Sequence, residues 1–279
     1  MTEPLLTFSN LTLGYNSQPA VRHLSGEIKG GALLAVIGAN GSGKSTLLKG
    51  AAGVLKPMSG HLKVAPGLRL AYLPQRSGVD RSFPARVIDI VSLGLWPTRG
   101  LLGRHGPDDR RRVADAIAAV GLSGLEHRSI DALSGGQMQR ALFARVLLQD
   151  ADLILLDEPF NGVDARTVRD LVAIIDDWRA QGRAVMAAFH DLDLARRNFA
   201  ETLLLASKPV AWGPIAWGPT TATLTLENLA AAFGLDGAPE EAGSQRGDGA
   251  AELKAAAAGH ADDGREPRGH AHASFSAVC

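Results

Sequence analysis

The segment 32–45 joins an apolar run to a glycine-rich loop, and this pairing constrains the fold more than any other part of the chain. Ala32–Ile37 is predicted to be a strand. Gly38–Ser45 follows it directly and matches the pattern G-x-x-x-x-G-K-[ST] at each fixed position. The next residues, Thr46–Val54, are predicted to form a helix that ends near Lys56-Pro57. A strand, a phosphate-binding loop and a helix in this order indicate an α/β nucleotide-binding fold.

The chemistry of the loop predicts a site for the phosphates of a nucleotide. Its glycines let backbone N–H groups turn inward, and the start of the following helix adds its positive dipole end. Lys44 would supply a positive charge to the outer phosphates, and the Ser45 hydroxyl would bind Mg²⁺. The residues predicted to bind the nucleotide here are Gly38, Ala39, Asn40, Gly41, Ser42, Gly43, Lys44, Ser45 and Thr46.

The remainder of the chain alternates between strand-like and helix-like segments. Residues 5–36 alternate apolar and polar positions and carry turn residues, which predicts short strands. From about Val87 to Val146 the apolar spacing is helical. This pattern favours an α/β sheet fold that is split by a helical insert. The other predicted elements are strands at Arg69–Leu73, Leu153–Leu156, Ala184–Phe189 and Thr202–Leu205, and helices at Asp108–Val120, Gln137–Leu148, Ala165–Ala180 and Leu192–Asn198.

Four polar residues fall where predicted strands end near the loop. Asp157 could hold Mg²⁺ directly or through water, and Glu158 could activate a water for attack on the γ-phosphate. Gln75 follows a strand and a proline, where an amide can contact Mg²⁺ and the attacking water. His190 ends the next strand, where an imidazole can hydrogen-bond the γ-phosphate. The predicted catalytic residues are thus Glu158, His190 and Gln75, and the predicted Mg²⁺ ligands are Ser45, Asp157 and Gln75.

A second anion site is predicted at Leu133-Ser134-Gly135-Gly136-Gln137. Ser134 is suited to cap the helix that follows, and free N–H groups at a helix start attract negative charge. The segment is separated from Lys44 by the helical insert. One chain need not bring both sites to the same phosphate, whereas two chains facing head to tail could. Ser134, Gly135, Gly136 and Gln137 are therefore predicted to grip the nucleotide that a second chain binds.

From about Leu5 to Phe233 these motifs, in this order, resemble the ATPase subunits of ABC (ATP-binding cassette) transporters. The resemblance implies an α/β fold: a P-loop NTPase (RecA-like) core with an N-terminal antiparallel β subdomain and an inserted α-helical subdomain. It also implies ATP and Mg²⁺ as cofactors, ATP hydrolysis in a homodimer, and integral-membrane permease subunits as partners. Within the family pattern, Tyr15 stands where an aromatic ring stacks on adenine, and Asp164 stands in the D-loop.

The domain boundaries follow from a change in composition. An ATPase domain is predicted at residues 1–235, with its helical insert at about 80–148. Residues 236–279 are rich in Ala, Gly and charged residues and are expected to be disordered. The only cysteine, Cys279, permits no intramolecular disulfide.

Charge and hydropathy limit the partners. The formal net charge is zero, which argues against a nucleic-acid partner. No window reaches the roughly 20 apolar residues of a membrane-spanning helix, and residues 1–10 lack the pattern of a secretion signal. The resemblance to ABC ATPases then implies a location at the cytoplasmic face of the inner or plasma membrane, reached through the permease.

The sequence after the paired acids bears on the cargo. Pro159-Phe160 followed by Gly162-Val163-Asp164 resembles the zinc and manganese importer subgroup, although Phe160 could also fill a local packing space. The stretch from Phe83 to Gly94 resembles importers of metals and metal chelates and should receive a permease coupling helix. A periplasmic or extracellular metal-binding protein would then be an indirect partner. Zinc is the favoured cargo, manganese the nearest substitute, and iron, haem or cobalamin chelates the alternative.

Two rival classes are disfavoured by the sequence. A soluble ABC ATPase acting on nucleic acid or ribosomes would be expected to have two cassettes, a long coiled-coil insert or a basic surface, and the sequence has none of these. A catalytically silent scaffold would not need intact Lys44, Asp157, Glu158 and His190.

Two further features are interpreted as having no functional role. His260, His270 and His272 could bind zinc, but they form no ligand set at fixed spacing, so a solvated tail is expected. Ala211-Trp212-Gly213-Pro214-Ile215 is nearly repeated by the next five residues, which predicts a local duplication in a surface turn.

Overall fold

The computed structural model describes residues 3–75, 83–100, 106–206 and 214–234. The predicted tail, residues 236–279, lies outside these ranges. No helix in the described ranges has the length and apolar character that crossing a membrane requires.

An antiparallel sheet is formed by the N-terminal region. Strand β1 (Leu6–Tyr15) pairs with β2 (Gln18–Ile28) on one side and with β4 (Ser59–Val64) on the other. Asn16 and Ser17 connect β1 to β2 with φ angles of 47° and 64°. Positive φ at both central residues is the geometry that matches the twist of a tight hairpin. The predicted antiparallel β subdomain is therefore present.

A second sheet positions the glycine-rich loop. Its strands are β3 (Leu33–Ile37), β5 (Leu70–Leu73), β6 (Leu153–Asp157), β7 (Ala184–Ala188), β8 (Glu201–Leu205) and β9 (Pro214–Pro219). They lie in the order β5-β6-β7-β3-β8-β9, all parallel except β9, which pairs antiparallel with β8. β3, β6 and β7 are buried at every position, which explains why they are continuous apolar runs in the sequence.

The helices agree with the predicted insert. Helix α1 (Lys44–Ala51) follows the loop, and the described residues between β5 and β6 are otherwise helical or connecting segments. The helices of this insert are α2 (Val87–Ser92), α3 (Trp96–Arg99), α4 (Pro107–Ala119) and α5 (Gly135–Leu148), with 3₁₀ turns at Leu93–Leu95 and Ile130–Ala132. The others are α6 (Ala165–Ala180), α7 (Leu192–Asn198), α8 (Thr220–Thr223) and α9 (Leu226–Phe233). The α/β fold class is confirmed.

The core lies on both faces of the second sheet. Leu33 and Ile37 of β3 belong to one apolar cluster, together with Leu142 of the helical insert. Leu34, between them, belongs to a second cluster that contains Leu11 of the antiparallel sheet. Burying a leucine side chain stabilises a fold by about 1.5–3 kcal/mol. The strand that carries the loop is thus packed against both subdomains.

Helix α1 differs from its predicted bounds. It begins at Lys44 rather than at Thr46 and ends at Ala51, before the predicted Val54. Gly53 has φ 72°, and Val54 N–H donates to the Lys49 carbonyl over 2.9 Å. A glycine in this conformation with this bond is a Schellman ending. The apolar spacing typical of a helix therefore continues in the sequence beyond Gly53, although this glycine ends the helix.

The described copy of the Trp-Gly-Pro near-repeat is not a surface turn, so that prediction is wrong. Ala216 to Pro219 lie in β9, and Trp217 is half-buried with its ring centroid 5.9 Å from that of Phe8. A Cβ on Gly26 would lie 2.3 Å from the Trp217 ring. Trp217 therefore lies in a strand and covers apolar surface of the antiparallel sheet. Ala211-Trp212-Gly213 of the other copy lies outside the described residues.

Candidate functional site

The loop between β3 and α1 depends on its glycines. Gly41 and Gly43 have φ angles of 82° and 94°, the left-handed region that other residues rarely adopt. A Cβ on Gly43 would lie 2.7 Å from the Ala20 carbonyl oxygen, and one on Gly38 would lie 2.5 Å from Ser42 Oγ. The backbone can therefore take this path only with glycine at both crowded positions.

Lys44 is held inside the loop that precedes it. Its Nζ donates to the carbonyl oxygens of Gly38 at 2.8 Å and Ala39 at 3.0 Å, and lies 3.9 Å from Glu158 Oε1. Burial lowers the pKa of the Lys44 ammonium, and the nearby carboxylates of Glu158 and Asp157 oppose that effect. The loop thus presents one buried cation whose hydrogen bonds are with backbone carbonyls.

Asp157 ends β6 beside the loop and accepts a hydrogen bond on each carboxylate oxygen. Ser45 Oγ donates to Oδ1 at 2.9 Å, and the Tyr72 hydroxyl donates to Oδ2 at 3.4 Å. Burial raises the pKa of the Asp157 carboxyl, and burial also raises the pKa of the Tyr72 hydroxyl. Tyr72 was not predicted from the sequence. The available signal was the alternation of β5, which puts Leu70 and Tyr72 on one face.

Glu158 follows Asp157 in an uncommon backbone conformation. Its φ is 51°, and its N–H donates to the Ala188 carbonyl at 2.8 Å. This geometry turns its side chain away from the direction of Asp157, towards Lys44 and His190. His190 Nδ1 lies 3.3 Å from Glu158 Oε2, and the imidazole is largely exposed. The two acids therefore have different partners although they are neighbours in the chain.

A cavity of about 240 Å³ opens over the loop. Its lining brings Gln75 and Glu158 to the loop residues Asn40–Thr46, as the sequence predicted, and adds Ala20 of β2, which it did not. Tyr15 is not among the lining residues. It stands at the end of β1, 47% exposed, with Lys49 Nζ 5.9 Å from its ring centroid.

The second glycine-rich segment lies elsewhere. Ser134 caps α5: its Oγ accepts from Gln137 N–H at 3.2 Å, and Gln137 Oε1 accepts from Ser134 N–H at 3.0 Å. A Cβ on Gly136 would lie 3.0 Å from Thr167 Oγ1 and 3.4 Å from Asp164 Oδ2. Within the described residues, Ser134, Gly135, Gly136 and Gln137 do not line the cavity over the loop.

Asp164 joins the second segment rather than the first. It caps α6, because its Oδ1 accepts from Thr167 N–H at 2.9 Å and its Oδ2 accepts from Thr167 Oγ1 at 2.8 Å. The Thr167 N–H bond lowers the pKa of the Asp164 carboxyl. Two capped helix starts, those of α5 and α6, are therefore in contact.

The residues around the loop fit a nucleotide with Mg²⁺. Ser45 Oγ and Asp157 Oδ1 are adjacent oxygens, the donor type that Mg²⁺ takes. Ser42 Oγ is buried without a hydrogen-bond partner among the described residues, so an acceptor such as a phosphate oxygen would satisfy it. The same ranges contain no group of three or more His, Cys, Asp or Glu side chains suited to a metal ion. His260, His270 and His272 lie outside them.

Phe160 packs against the core. Its ring lies edge-to-face on Phe189, with centroids 5.5 Å apart and planes at 77°. Phe189 in turn packs on Phe199 at 5.1 Å. Such aromatic pairs add about 0.5–1.5 kcal/mol beyond their buried area. Phe160 therefore fills the local packing space that the sequence analysis considered.

Comparisons with known proteins identify the family. Residues 21–161 match the family described as ABC transporter. The zinc transport system ATP-binding protein TroB of Treponema pallidum is 40% identical over 210 residues, 73% of this chain and 79% of the relative. The manganese transport system ATP-binding protein MntB of Bacillus subtilis is 37% identical over 231 residues, 81% of this chain and 90% of the relative.

A solved structure agrees with these relatives. It is described as a metal-chelate type ABC transporter in an inward-facing conformation, and its matching chain is 29% identical with a TM-score of 0.75. The match covers 83% of this chain and 90% of that one. The family match and the similarity to these relatives over most of their length lead to one conclusion: this chain is an ATP-binding member of the ABC transporter family.

Proposed function

We propose that this chain is the ATP-hydrolysing subunit of a membrane importer for a divalent metal ion, with zinc as the favoured cargo. The observation that carries the proposal is the meeting of Lys44, Ser45, Asp157, Glu158 and His190 around one glycine-rich loop. Relatives named for zinc and manganese transport support the cargo class.

The loop would bind the phosphates of ATP. Residues 40–46, which include the start of α1, line the cavity, and their backbone N–H groups would contact the phosphate oxygens. Lys44 would exchange its carbonyl partners for the outer phosphates, which carry more negative charge. Tyr15 is 47% exposed at the end of β1, beside Lys49 of α1, and would stack on adenine.

Ser45, Asp157 and Gln75 would hold Mg²⁺. The hydroxyl and the carboxylate are already adjacent, and Gln75 lines the same cavity. When bound, the ion neutralises charge on the β- and γ-phosphates.

Glu158 would accept the proton of the attacking water. Its carboxylate borders the cavity, close to Lys44, and is buried. His190, within hydrogen-bonding distance of Glu158, would orient that carboxylate and contact the γ-phosphate. A general base of this kind contributes about 10²–10⁴ in rate.

A homodimer would complete each site. Ser134–Gln137 present the start of α5 at the surface, away from the chain's own cavity. We infer that this helix start reaches the nucleotide held by the partner chain, with Asp164 at the same junction. Hydrolysis would then require two chains, and its products would separate them.

The dimer would act on permease subunits at the cytoplasmic face of the inner or plasma membrane. Exposed apolar side chains on the helical insert support such a contact: Phe83 is 66% exposed, Leu93 41% and Trp96 46%. Phe83 and Leu93 belong to the stretch from Phe83 to Gly94 that is predicted to receive a permease coupling helix, and Trp96 follows it by two residues. A coupling helix would bind there by its apolar face. A periplasmic or extracellular metal-binding protein would deliver the cargo to that permease.

The cargo is tested in cells. A deletion strain would receive either the wild-type gene or Glu158→Gln, and cell zinc, manganese and iron would be measured by mass spectrometry under limitation of each metal. We expect zinc to fall in the deletion strain and in the Glu158→Gln strain. A fall in manganese alone would mean that manganese, and not zinc, is the cargo. A fall in iron alone would favour the metal-chelate class, to which the solved structure belongs. Unchanged metals would refute metal import.

A further inference from the structure

Tyr72 lies beside the proposed Mg²⁺ ligands but has no role in the proposed function. Its hydroxyl donates to Asp157 Oδ2 at 3.4 Å, while Ser45 donates to Oδ1 at 2.9 Å. The two donors come from different elements, β5 and α1. Each oxygen of the carboxylate therefore has its own donor.

The sheet register explains how Tyr72 reaches this carboxylate. Tyr72 of β5 pairs with Leu155 of β6 in a parallel ladder. Alternation along β6 puts Leu155 and Asp157 on the same face, and Tyr72 packs in the same apolar cluster as Leu155. Asp157 is two residues beyond Leu155, or about 6.6 Å along the strand, a span that a tyrosine side chain leaning along its strand can cover.

A carboxylate at a metal site needs such a restraint. The terminal torsion of an aspartate is broad and roughly two-fold, so packing alone does not select one orientation. A donor on Oδ2 restricts this rotation and leaves Oδ1 beside Ser45, where the second oxygen ligand lies. Hydrogen bonds from outside the ligand shell orient metal ligands in this way, and their loss typically costs about 10–100-fold in metal affinity.

We propose that Tyr72 is a positioning residue that orients the Asp157 carboxylate for Mg²⁺ binding through its hydroxyl group. The inference rests on the proposed assignment of Ser45 and Asp157 as ligands. It assigns Tyr72 no contact with the nucleotide, since Tyr72 does not line the cavity over the loop. Nucleotide affinity without metal and metal affinity with nucleotide should therefore respond differently when the hydroxyl is removed.

The test uses the full chain and Mn²⁺ as a spectroscopic substitute for Mg²⁺. Tyr72→Phe removes only the hydroxyl and keeps the ring in the core. Mn²⁺ binding to the ADP complex is measured by electron paramagnetic resonance, and ADP affinity is measured separately in EDTA with a fluorescent analogue. We expect Mn²⁺ affinity to fall about tenfold and ADP affinity in EDTA to stay unchanged. Equal Mn²⁺ affinity, or an equal loss of ADP affinity in EDTA, would overturn the inference.

Two further sets of variants separate the possible explanations. Thr98→Val removes another part-buried hydroxyl, which donates to the Leu95 carbonyl in the helical insert, and should leave Mn²⁺ affinity unchanged. Tyr72→Leu removes the ring as well; a loss of metal affinity in this variant with wild-type affinity in Tyr72→Phe would show that packing of the ring, and not the hydroxyl, orients Asp157, and would overturn the inference. Ser45→Ala and Asp157→Asn should lose Mn²⁺ binding. If both keep it, the proposed Mg²⁺ site is wrong and the inference fails with it, whereas an effect confined to these two variants refutes the inference alone.

Discussion

Nδ1 of His190 lies 3.3 Å from Oε2 of Glu158, and the two residues follow adjacent parallel strands, β7 and β6. Parallel strands end at a common edge of the sheet, so residues far apart in the chain meet there. The positive φ of Glu158 directs its carboxylate to this contact instead of to the Asp157 side. The pair explains why Glu158, rather than Asp157, is proposed as the base.

Glu158→Gln should abolish ATP turnover and leave ATP binding intact, because the amide keeps the shape of the side chain but cannot accept the proton. We expect a loss of about 10²–10⁴ in rate, measured as phosphate release, with fluorescent-nucleotide affinity within about twofold of wild type. Glu27→Gln, on the exposed side of β2, controls for the loss of a charge. Turnover at the wild-type rate would remove Glu158 as the base.

Ser134→Arg should block ATP-dependent dimerisation while each monomer still binds ATP. The arginine would replace an exposed cap at the start of α5 and remove the side-chain acceptor for Gln137 N–H. Dimer formation is best measured by sizing chromatography in the Glu158→Gln background, where ATP persists. Ser59→Arg on the exposed β4 edge is the matched control. A normal dimer from Ser134→Arg would contradict the two-chain site.

Gly43→Ala should impair nucleotide binding more than Gly41→Ala. Both positions have positive φ, which costs a residue with a Cβ about 1–2 kcal/mol. Only at Gly43 would the new Cβ meet backbone, the Ala20 carbonyl oxygen at 2.7 Å, whereas nothing lies within 4 Å of a Cβ at Gly41. Nucleotide affinity and thermal stability of the two variants give the comparison. Equal losses in the two variants would mean that the positive φ alone, and not the contact with the Ala20 carbonyl, accounts for the loss of nucleotide affinity.

Asp157→Asn should stabilise the nucleotide-free protein near neutral pH. Burial raises the pKa of the Asp157 carboxyl above its unfolded value of about 3.9. Between these two pKa values the folded state binds more protons than the unfolded state, so stability falls as pH rises through that window. The melting temperature of the variant should therefore exceed that of wild type at neutral pH and approach it in acid. Asp176→Asn on α6 controls for the charge, and an advantage that persists in acid would contradict burial as the cause.

Local signals were sufficient for much of the fold. The apolar runs predicted β3, β6 and β7, and the α6 bounds, Ala165–Ala180, agree with the prediction. Strands buried on both faces and a strongly amphipathic helix impose their periods on the sequence, so these elements are readable without tertiary information. The end of α1 is less readable, because the apolar spacing continues to Val54 although Gly53 ends the helix.

Contacts between segments that are distant in the chain were harder to predict from the sequence. Nothing in the order of residues indicates that Trp217 covers Gly26 and Phe8, and the near-repeat suggested a turn instead. The Tyr72 hydroxyl on Asp157 also depends on the register between β5 and β6. Register is a property of strand pairing, and neither strand encodes it alone.

The sequence by itself determined the phosphate loop, the order of the strands and helices that carry it, and the ABC transporter family, because each depends on residue types at short, fixed spacing. The tertiary structure decided which side chains share the site. It gave Asp157 two hydroxyl donors, gave Glu158 the contacts with Lys44 and His190, and left Ser134–Gln137 beside Asp164 and away from the loop. The reason is geometric: parallel strands bring their ends to one edge, and only the packed sheet specifies which ends are neighbours.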